Sequence, residues 1–163
     1  MDALVNRIAA RCLARGLRVG VAESCTGGLV AASLTEAPGA SAWFAGGVVS
    51  YAESVKVAVL GVPAEALAHH GAVSAEAACA MAAGARRLLG VDVAVSVTGL
   101  AGPDGDGAHP VGTVFVGVAA PTGTAAAGHH FPGDRVEVRA QACAAALAAL
   151  DAAIGGEIKG NHP

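Results

Sequence analysis

Hydrophobic and polar positions along the chain alternate between two periods. From Ala3 to Arg15, Leu4, Ile8 and Leu13 recur near helical spacing, and Gly16 follows as a stop. Leu17 to Ala22 is a short apolar run with β-branched residues, which predicts a buried strand. Thr26 to Leu34 returns to a helical pattern entered through two glycines, and Pro38-Gly39 ends it. Ala45 to Tyr51 predicts a second strand. Val55 to Leu60 reads as a short helix or turn stopped by Gly61, and Pro63 opens another short helix through about His69. Ser74 followed by Glu76 has the form of an N-cap with an acidic first turn, for a helix running to Leu89 and closed by Gly90.

The run Val91 to Thr98 is the clearest buried strand. A glycine-rich loop, Gly99 to Gly107, follows it. Val111 to Ala120 and Thr124 to Phe131 flank Pro121-Thr122-Gly123 as a hairpin. The last helix spans Arg135 to Ala153, and a tail from Gly155 to Pro163 is expected to be disordered. Helices before, between and after about five strands predict one α/β domain, with helices on both faces of a mixed, mostly parallel sheet. No domain boundary or internal repeat is visible.

Composition narrows the function. Of 163 residues, 54% are hydrophobic, 14% charged and 3% aromatic, so a large core must be built from Ala, Val and Leu. The formal charge of -3, with no basic cluster and few aromatics, argues against nucleic-acid binding. Asp2, Asn6 and Arg7 interrupt any signal-peptide pattern, and Gln141 and Asp151 break the Ala-rich stretch from Ala140 to Ile154, so no apolar run is long enough to span a bilayer. A cytoplasmic location without membrane association is therefore expected. The four cysteines form no C-x-x-C pair; Cys12, Cys79 and Cys143 sit in helical patterns as small hydrophobes, whereas Cys25 adjoins candidate chemistry. The histidines show no metal-binding spacing.

Four segments carry that chemistry. At Ser24-Cys25-Thr26-Gly27-Gly28 a strand turns into a helix, so the N–H groups of Thr26, Gly27 and Gly28 would be free to hold a phosphate or an oxyanion beside the Ser24 hydroxyl. Ser24 or Thr26 could equally be an N-cap. Lys56 lies among Val55, Val57 and Val59, where desolvation would favour a neutral amine able to accept a serine proton; a lysine snorkelling to the surface is the alternative. Tyr51, the single tyrosine, lies close by. Thr98 and Gly99 end the clearest strand, and Gly102 follows in the loop, where ligands bind in open α/β sheets. Arg135 opens the last helix as a phosphate clamp, or as a surface partner of Asp104, Asp106 or Asp134.

Taken together, Ala22-Glu23-Ser24-Cys25-Thr26-Gly27-Gly28, Gly46-Gly47-Val48-Val49-Ser50-Tyr51 with Lys56, Leu60-Gly61-Val62, His70-Gly71-Ala72-Val73-Ser74, Val97-Thr98-Gly99-Leu100-Ala101-Gly102-Pro103, Pro110-Val111-Gly112-Thr113-Val114 and Phe131-Pro132-Gly133-Asp134-Arg135 resemble the CinA C-terminal domain, or nicotinamide-nucleotide amidase, family. The resemblance covers about residues 3 to 152, and residues 1–154 are expected to form the domain. It implies a three-layer α/β/α fold, commonly a homo-oligomer, and hydrolysis of the carboxamide of nicotinamide mononucleotide to nicotinate mononucleotide and ammonia, with no metal and no cofactor. It further implies Ser24 as nucleophile and Lys56, assisted by Tyr51, as base. Oxyanion donors fall near Gly27 and Gly28, and substrate contacts on Thr26, Ser41, Thr98, Gly99, Gly102 and Arg135. Many relatives carry a nucleotide-pyrophosphatase domain ahead of this one, so a chain starting directly here is expected to lack that activity. Glu53 stands where members often carry Asn, and Gly107-Ala108-His109 replaces a longer Thr-Pro-Glu-Lys segment. The competing reading is a non-catalytic module that binds a pyridine nucleotide or docks a competence or repair protein.

Overall fold

The structure is a computed structural model and describes residues 2–156. Five strands, β1 (Val19–Glu23), β2 (Phe44–Val49), β3 (Val93–Gly99), β4 (Thr113–Ala120) and β5 (Gly123–His130), form one sheet in the order β2-β1-β3-β4-β5. The β1–β2 and β1–β3 pairs are parallel, and the β3–β4 and β4–β5 pairs antiparallel. Four of the five strands therefore run in one direction, with β4 reversed.

The pleat sorts side chains into two unlike faces. Val19 and Val21 of β1, Val93, Val95 and Val97 of β3, and Val114, Val116 and Val118 of β4 all enter one large core. The helices α1 (Asp2–Arg15), α2 (Leu29–Thr35) and α6 (Arg135–Ile154) close that core, the last through the fully buried Leu147, Leu150 and Ile154. The intervening positions are small: Gly20, Ala22, Ala94, Ser96, Gly117 and Ala119. That face receives α4 (Ala64–His70) and the Ala-rich α5 (Ala75–Leu89) in a second cluster with Leu60, Val62 and Met81. Small residues let α5 lie almost on the sheet backbone. Ser96 Oγ donates to the Ala78 carbonyl at 2.6 Å, and a Cβ at Gly117 would stand 2.4 Å from that same oxygen. The result is the expected three-layer α/β/α domain.

Helix ends follow local chemistry. Ser74 caps α5, accepting from Ala77 N at 3.1 Å. Asp134 and Glu137 form a reciprocal capping box at the start of α6, which sets Arg135 as its first residue. Asp151 on α6 takes Arg7 and Arg11 of α1 at 2.8 Å each, tying the terminal helices together.

Several boundaries differ from the periodicity. Helix α2 begins at Leu29 rather than Thr26, because Gly27 and Gly28 adopt positive φ (62° and 104°) and make a left-handed turn. The hairpin loop is only Pro121-Thr122, since Gly123 already pairs with Ala120. A short helix, α3 (Glu53–Ala58), starts two residues before the apolar run that suggests it. Gly155 and Gly156 donate back to Asp151 and Ala153 in a closing turn; the rest of the expected disordered tail, 157–163, lies outside the described residues.

Candidate active site

Strand alternation determines where the nucleophile candidate points. Val19, Val21 and Glu23 share the valine face of β1, so Glu23 sits under the start of α2. Its carboxylate, 1% exposed, accepts from Gly28 N at 2.9 Å, Val30 N at 3.1 Å and Ala31 N at 2.8 Å. An acidic group at a helix N-terminus is favoured by the dipole and takes up otherwise orphaned donors. Ser24 continues the alternation to the opposite side, while its N–H stays in register by donating to Val97 O at 3.0 Å.

On that side Ser24 meets Lys56. The amine Nζ is 3.0 Å from Ser24 Oγ, 2.6 Å from the Ser50 carbonyl and 3.3 Å from the Tyr51 carbonyl. Lys56 is 1% exposed, and no carboxylate pairs with it among the described residues. Burial lowers its pKa from 10.5, opposed by the charges of Glu53 and Cys25. The amine is placed to donate to Ser24 Oγ and to the two carbonyls; once deprotonated it keeps two N–H groups for the carbonyls and has a lone pair for the Ser24 hydroxyl proton. The valines around Lys56 are not what buries it. Val57 and Val59 point outward, and the lysine is enclosed by strand ends distant in sequence.

Ser24 and Lys56 open into a cavity of about 240 Å³ beyond the carboxyl ends of the parallel strands. Its wall includes Cys25, Tyr51, Glu53, Thr98, Gly99, Gly102, Asp104 and Arg135. Arg135 donates to the Gly102 carbonyl and, at 3.1 Å, to the Tyr51 hydroxyl. Thr98 Oγ1 donates to Ala72 O at 2.6 Å, so the hydroxyl also anchors the chain before α5.

Four expectations are revised. The Tyr51 phenol does not reach Lys56; the ring is 61% exposed at the cavity mouth, and only its backbone carbonyl touches the amine. The N–H groups of Gly27 and Gly28 are not free for an oxyanion, because Ser24 O and Glu23 accept them. Thr26 lies outside the cavity wall, its Oγ1 fully buried and without a partner among the described residues. Ser41 is exposed in the Ala40–Ala42 turn before β2; the register pairs Phe44 with Val19, so Ser41 lies at the opposite end of the sheet from Ser24. Two contributors escaped sequence reasoning. Glu23 stands inside the matched segment, but nothing in the pattern shows its three backbone bonds. Arg139 donates to Cys25 O at 3.1 Å and Thr26 O at 2.8 Å, and its one signal is spacing, one helical turn after Arg135.

Fold and site thus define a three-layer α/β protein with a buried serine–lysine pair at the carboxyl ends of its parallel strands. By comparison with known proteins, the chain belongs to the CinA C-terminal domain family, whose family model matches residues 1–154. It is 53% identical over 154 residues to a CinA-like protein of Anaeromyxobacter sp. (strain K), covering 94% of this chain and 38% of that protein. A CinA-like protein of Frankia casuarinae is 47% identical over 146 residues, covering 90% of this chain and 34% of that one. The chain thus spans roughly a third of the length of such relatives. Among solved structures, a CinA superfamily protein from Klebsiella pneumoniae aligns with a TM-score of 0.91 at 38% identity, covering 95% of this chain and 98% of that one. CihA, a competence/damage inducible protein from Agrobacterium tumefaciens, aligns at 0.90 and 39%, covering 94% of each. No helix among the described residues is long and apolar enough to cross a membrane.

Proposed function

We propose that the chain is an amidohydrolase that releases ammonia from the carboxamide of nicotinamide mononucleotide, using Ser24 as nucleophile and Lys56 as its base. The observation that carries this reading is the uncompensated amine of Lys56, buried 3.0 Å from the Ser24 hydroxyl at the wall of a cavity. A buried lysine without a counter-ion is costly to charge, and a neutral amine beside a hydroxyl is an activated nucleophile pair.

In the first half-reaction Ser24 Oγ attacks the amide carbon as its proton passes to Lys56 Nζ. The tetrahedral intermediate collapses, the C–N bond breaks, and Lys56 returns the proton to the departing ammonia. Water then attacks the ester on Ser24 with Lys56 again taking a proton, which goes back to Ser24 Oγ as the carboxylic acid leaves. Tyr51 and Arg135 at the mouth bind the outer, phosphate-bearing part of the nucleotide, and Thr98, Gly99 and Gly102 shape the wall that receives the ring.

The test is ammonia release by purified protein from nicotinamide mononucleotide, the riboside and the dinucleotide, with wild type beside Ser24→Ala. The mononucleotide is hydrolysed by wild type, and the variant is inactive. Equal rates in the two proteins would overturn the serine assignment, and no release from any of the three would overturn the amidase.

A further inference from the structure

Four charged side chains line the cavity: Glu53, Lys56, Asp104 and Arg135. The contacts already described account for two of them. Burial favours the neutral form of Lys56, and Arg135 donates to the Gly102 carbonyl and the Tyr51 hydroxyl. The two carboxylates are left over, since no Lys, Arg or His forms an ion pair with Glu53 or Asp104 among the described residues. With Lys56 neutral, the wall presents two carboxylates against one guanidinium.

Glu53 stands beside the chemistry. It opens α3, and Lys56 follows three residues later, so the two side chains share one face of the helix about a turn apart. That face carries the Lys56 amine to within 3.0 Å of Ser24 Oγ. The charge of Glu53 is felt at the amine, where it opposes the larger downward effect of burial on the pKa. An acid at the first position of a six-residue helix also suits the helix dipole. A purely structural role of that kind predicts no dependence on the charge of the ligand, which separates the two readings.

We propose that Glu53 is a specificity-determining residue that selects amides on a cationic ring, the pyridinium substituted at its ring nitrogen, over amides on a neutral ring. The proposal rests on the amidase reading above and deepens it by naming what the unpaired carboxylate recognises. In a nicotinamide nucleotide the pyridinium nitrogen is separated from the carbon bearing the carboxamide by a single ring carbon. An amide placed for attack by Ser24 therefore carries the ring charge into the same cavity, beside the helix face that holds Glu53. Across a partly solvated separation of about 5 Å, one carboxylate favours the cation by roughly 3- to 20-fold. An uncharged ring gains nothing from it.

The experiment measures binding by calorimetry to Ser24→Ala, alone and combined with Glu53→Gln or Glu53→Asp. The two probes are nicotinamide mononucleotide and its 1,4-dihydro form, which keeps the ribose, phosphate and carboxamide on a neutral ring. In Ser24→Ala the cationic form is expected to bind roughly 3- to 20-fold more tightly. Adding Glu53→Gln reduces the ratio of the two Kd values to within about twofold of unity, and Glu53→Asp, which keeps the charge, retains the preference. Raised salt shrinks the ratio in Ser24→Ala and leaves it unmoved in the Glu53→Gln protein. Repulsion between Glu53 and the phosphate is common to both probes and cancels in the ratio. Glu53→Gln also lowers the Lys56 pKa, leaving less ammonium to repel the cation; that route raises the preference and cannot mimic its loss. The same ratio with and without Glu53→Gln overturns this inference alone. A ratio lost equally in Glu53→Asp and Glu53→Gln assigns the effect to packing rather than charge and overturns it too. Binding of neither probe overturns this inference, and if wild type also releases no ammonia the amidase reading falls with it.

Discussion

Replacing Lys56 by methionine removes the proposed base while keeping most of the side-chain volume. The amine makes three contacts, 3.0 Å to Ser24 Oγ, 2.6 Å to Ser50 O and 3.3 Å to Tyr51 O. Leaving the buried Ser50 carbonyl unpaired costs about 1–3 kcal/mol. Against this, the variant no longer buries an amine whose charged form is disfavoured, and methionine packs against the apolar surroundings. The net change in stability is expected within about 2 kcal/mol, or a shift of the thermal midpoint by at most roughly 8 °C for a domain this size. The rate is affected far more. General-base assistance is worth about 10²–10⁴, equivalent to about 3–5 kcal/mol of barrier. A second readout comes from linkage. The Lys56 pKa is lowered from 10.5 on folding, so between the lowered value and 10.5 the unfolded chain holds more protons and wild-type stability rises with pH. Lys56→Met loses that slope. The neutral base itself accumulates as pH rises through the lowered value, so wild-type kcat/KM climbs up to that pH and is level above it, short of 10.5. Ammonia release gives the rates, and urea unfolding at several pH values gives the slope. A folded Lys56→Met protein with kcat within about threefold of wild type would rule out Lys56 as the base, since a general base contributes more than that.

Other predictions rest on neighbouring contacts. Glu53 raises the Lys56 pKa, so Glu53→Gln should lower it further and move the rising limb of the pH–rate profile to lower pH; an unmoved limb contradicts that. Glu23→Gln replaces a carboxylate holding three backbone N–H groups by an amide that sets a donor against them, a loss of about 2–5 kcal/mol read as a lower thermal midpoint. Burial pushes the Cys12 and Cys25 thiols up to about 11, so at pH 8 iodoacetamide should alkylate neither until the protein is unfolded, as seen by peptide mass spectrometry. Gly117→Ala drives a Cβ against the Ala78 carbonyl and Ser96 Oγ, and should cost about 1–3 kcal/mol or more in urea unfolding.

The layer architecture was legible because the strand runs are Val-rich on one face and the helices carry recognisable starts and stops. Val93, Val95 and Val97 are apolar in the strand pattern and in the core alike. The start of α2 was misread because a glycine pair permits a helix entrance and a left-handed turn equally well, and only the tertiary contact to Glu23 decides between them. Ser24 and Lys56 stood out in sequence as a serine before glycines and a lysine among valines. Their juxtaposition was not legible, since it depends on pleat parity at the end of β1 and on the chain reversal after β2. Tyr51 and Ser41 show the same limit from the other side. A side chain's nearness in sequence to the site says nothing of which way it points or which end of a strand it occupies, and both were assigned roles their positions in this chain do not give them. Arg139 was passed over because its role runs through backbone carbonyls, which no side-chain motif records.

The proposed reaction passes through a covalent bond between substrate and Ser24. Rapid quenching of a wild-type turnover with nicotinamide mononucleotide, followed by peptide mass spectrometry, reads that bond directly. The expected result is a pyridine-carbonyl ester on the peptide bearing Ser24, formed before the acid product and absent from Ser24→Ala. Turnover at wild-type rate with no ester on Ser24, or the acyl group carried as a thioester on Cys25 instead, would contradict it.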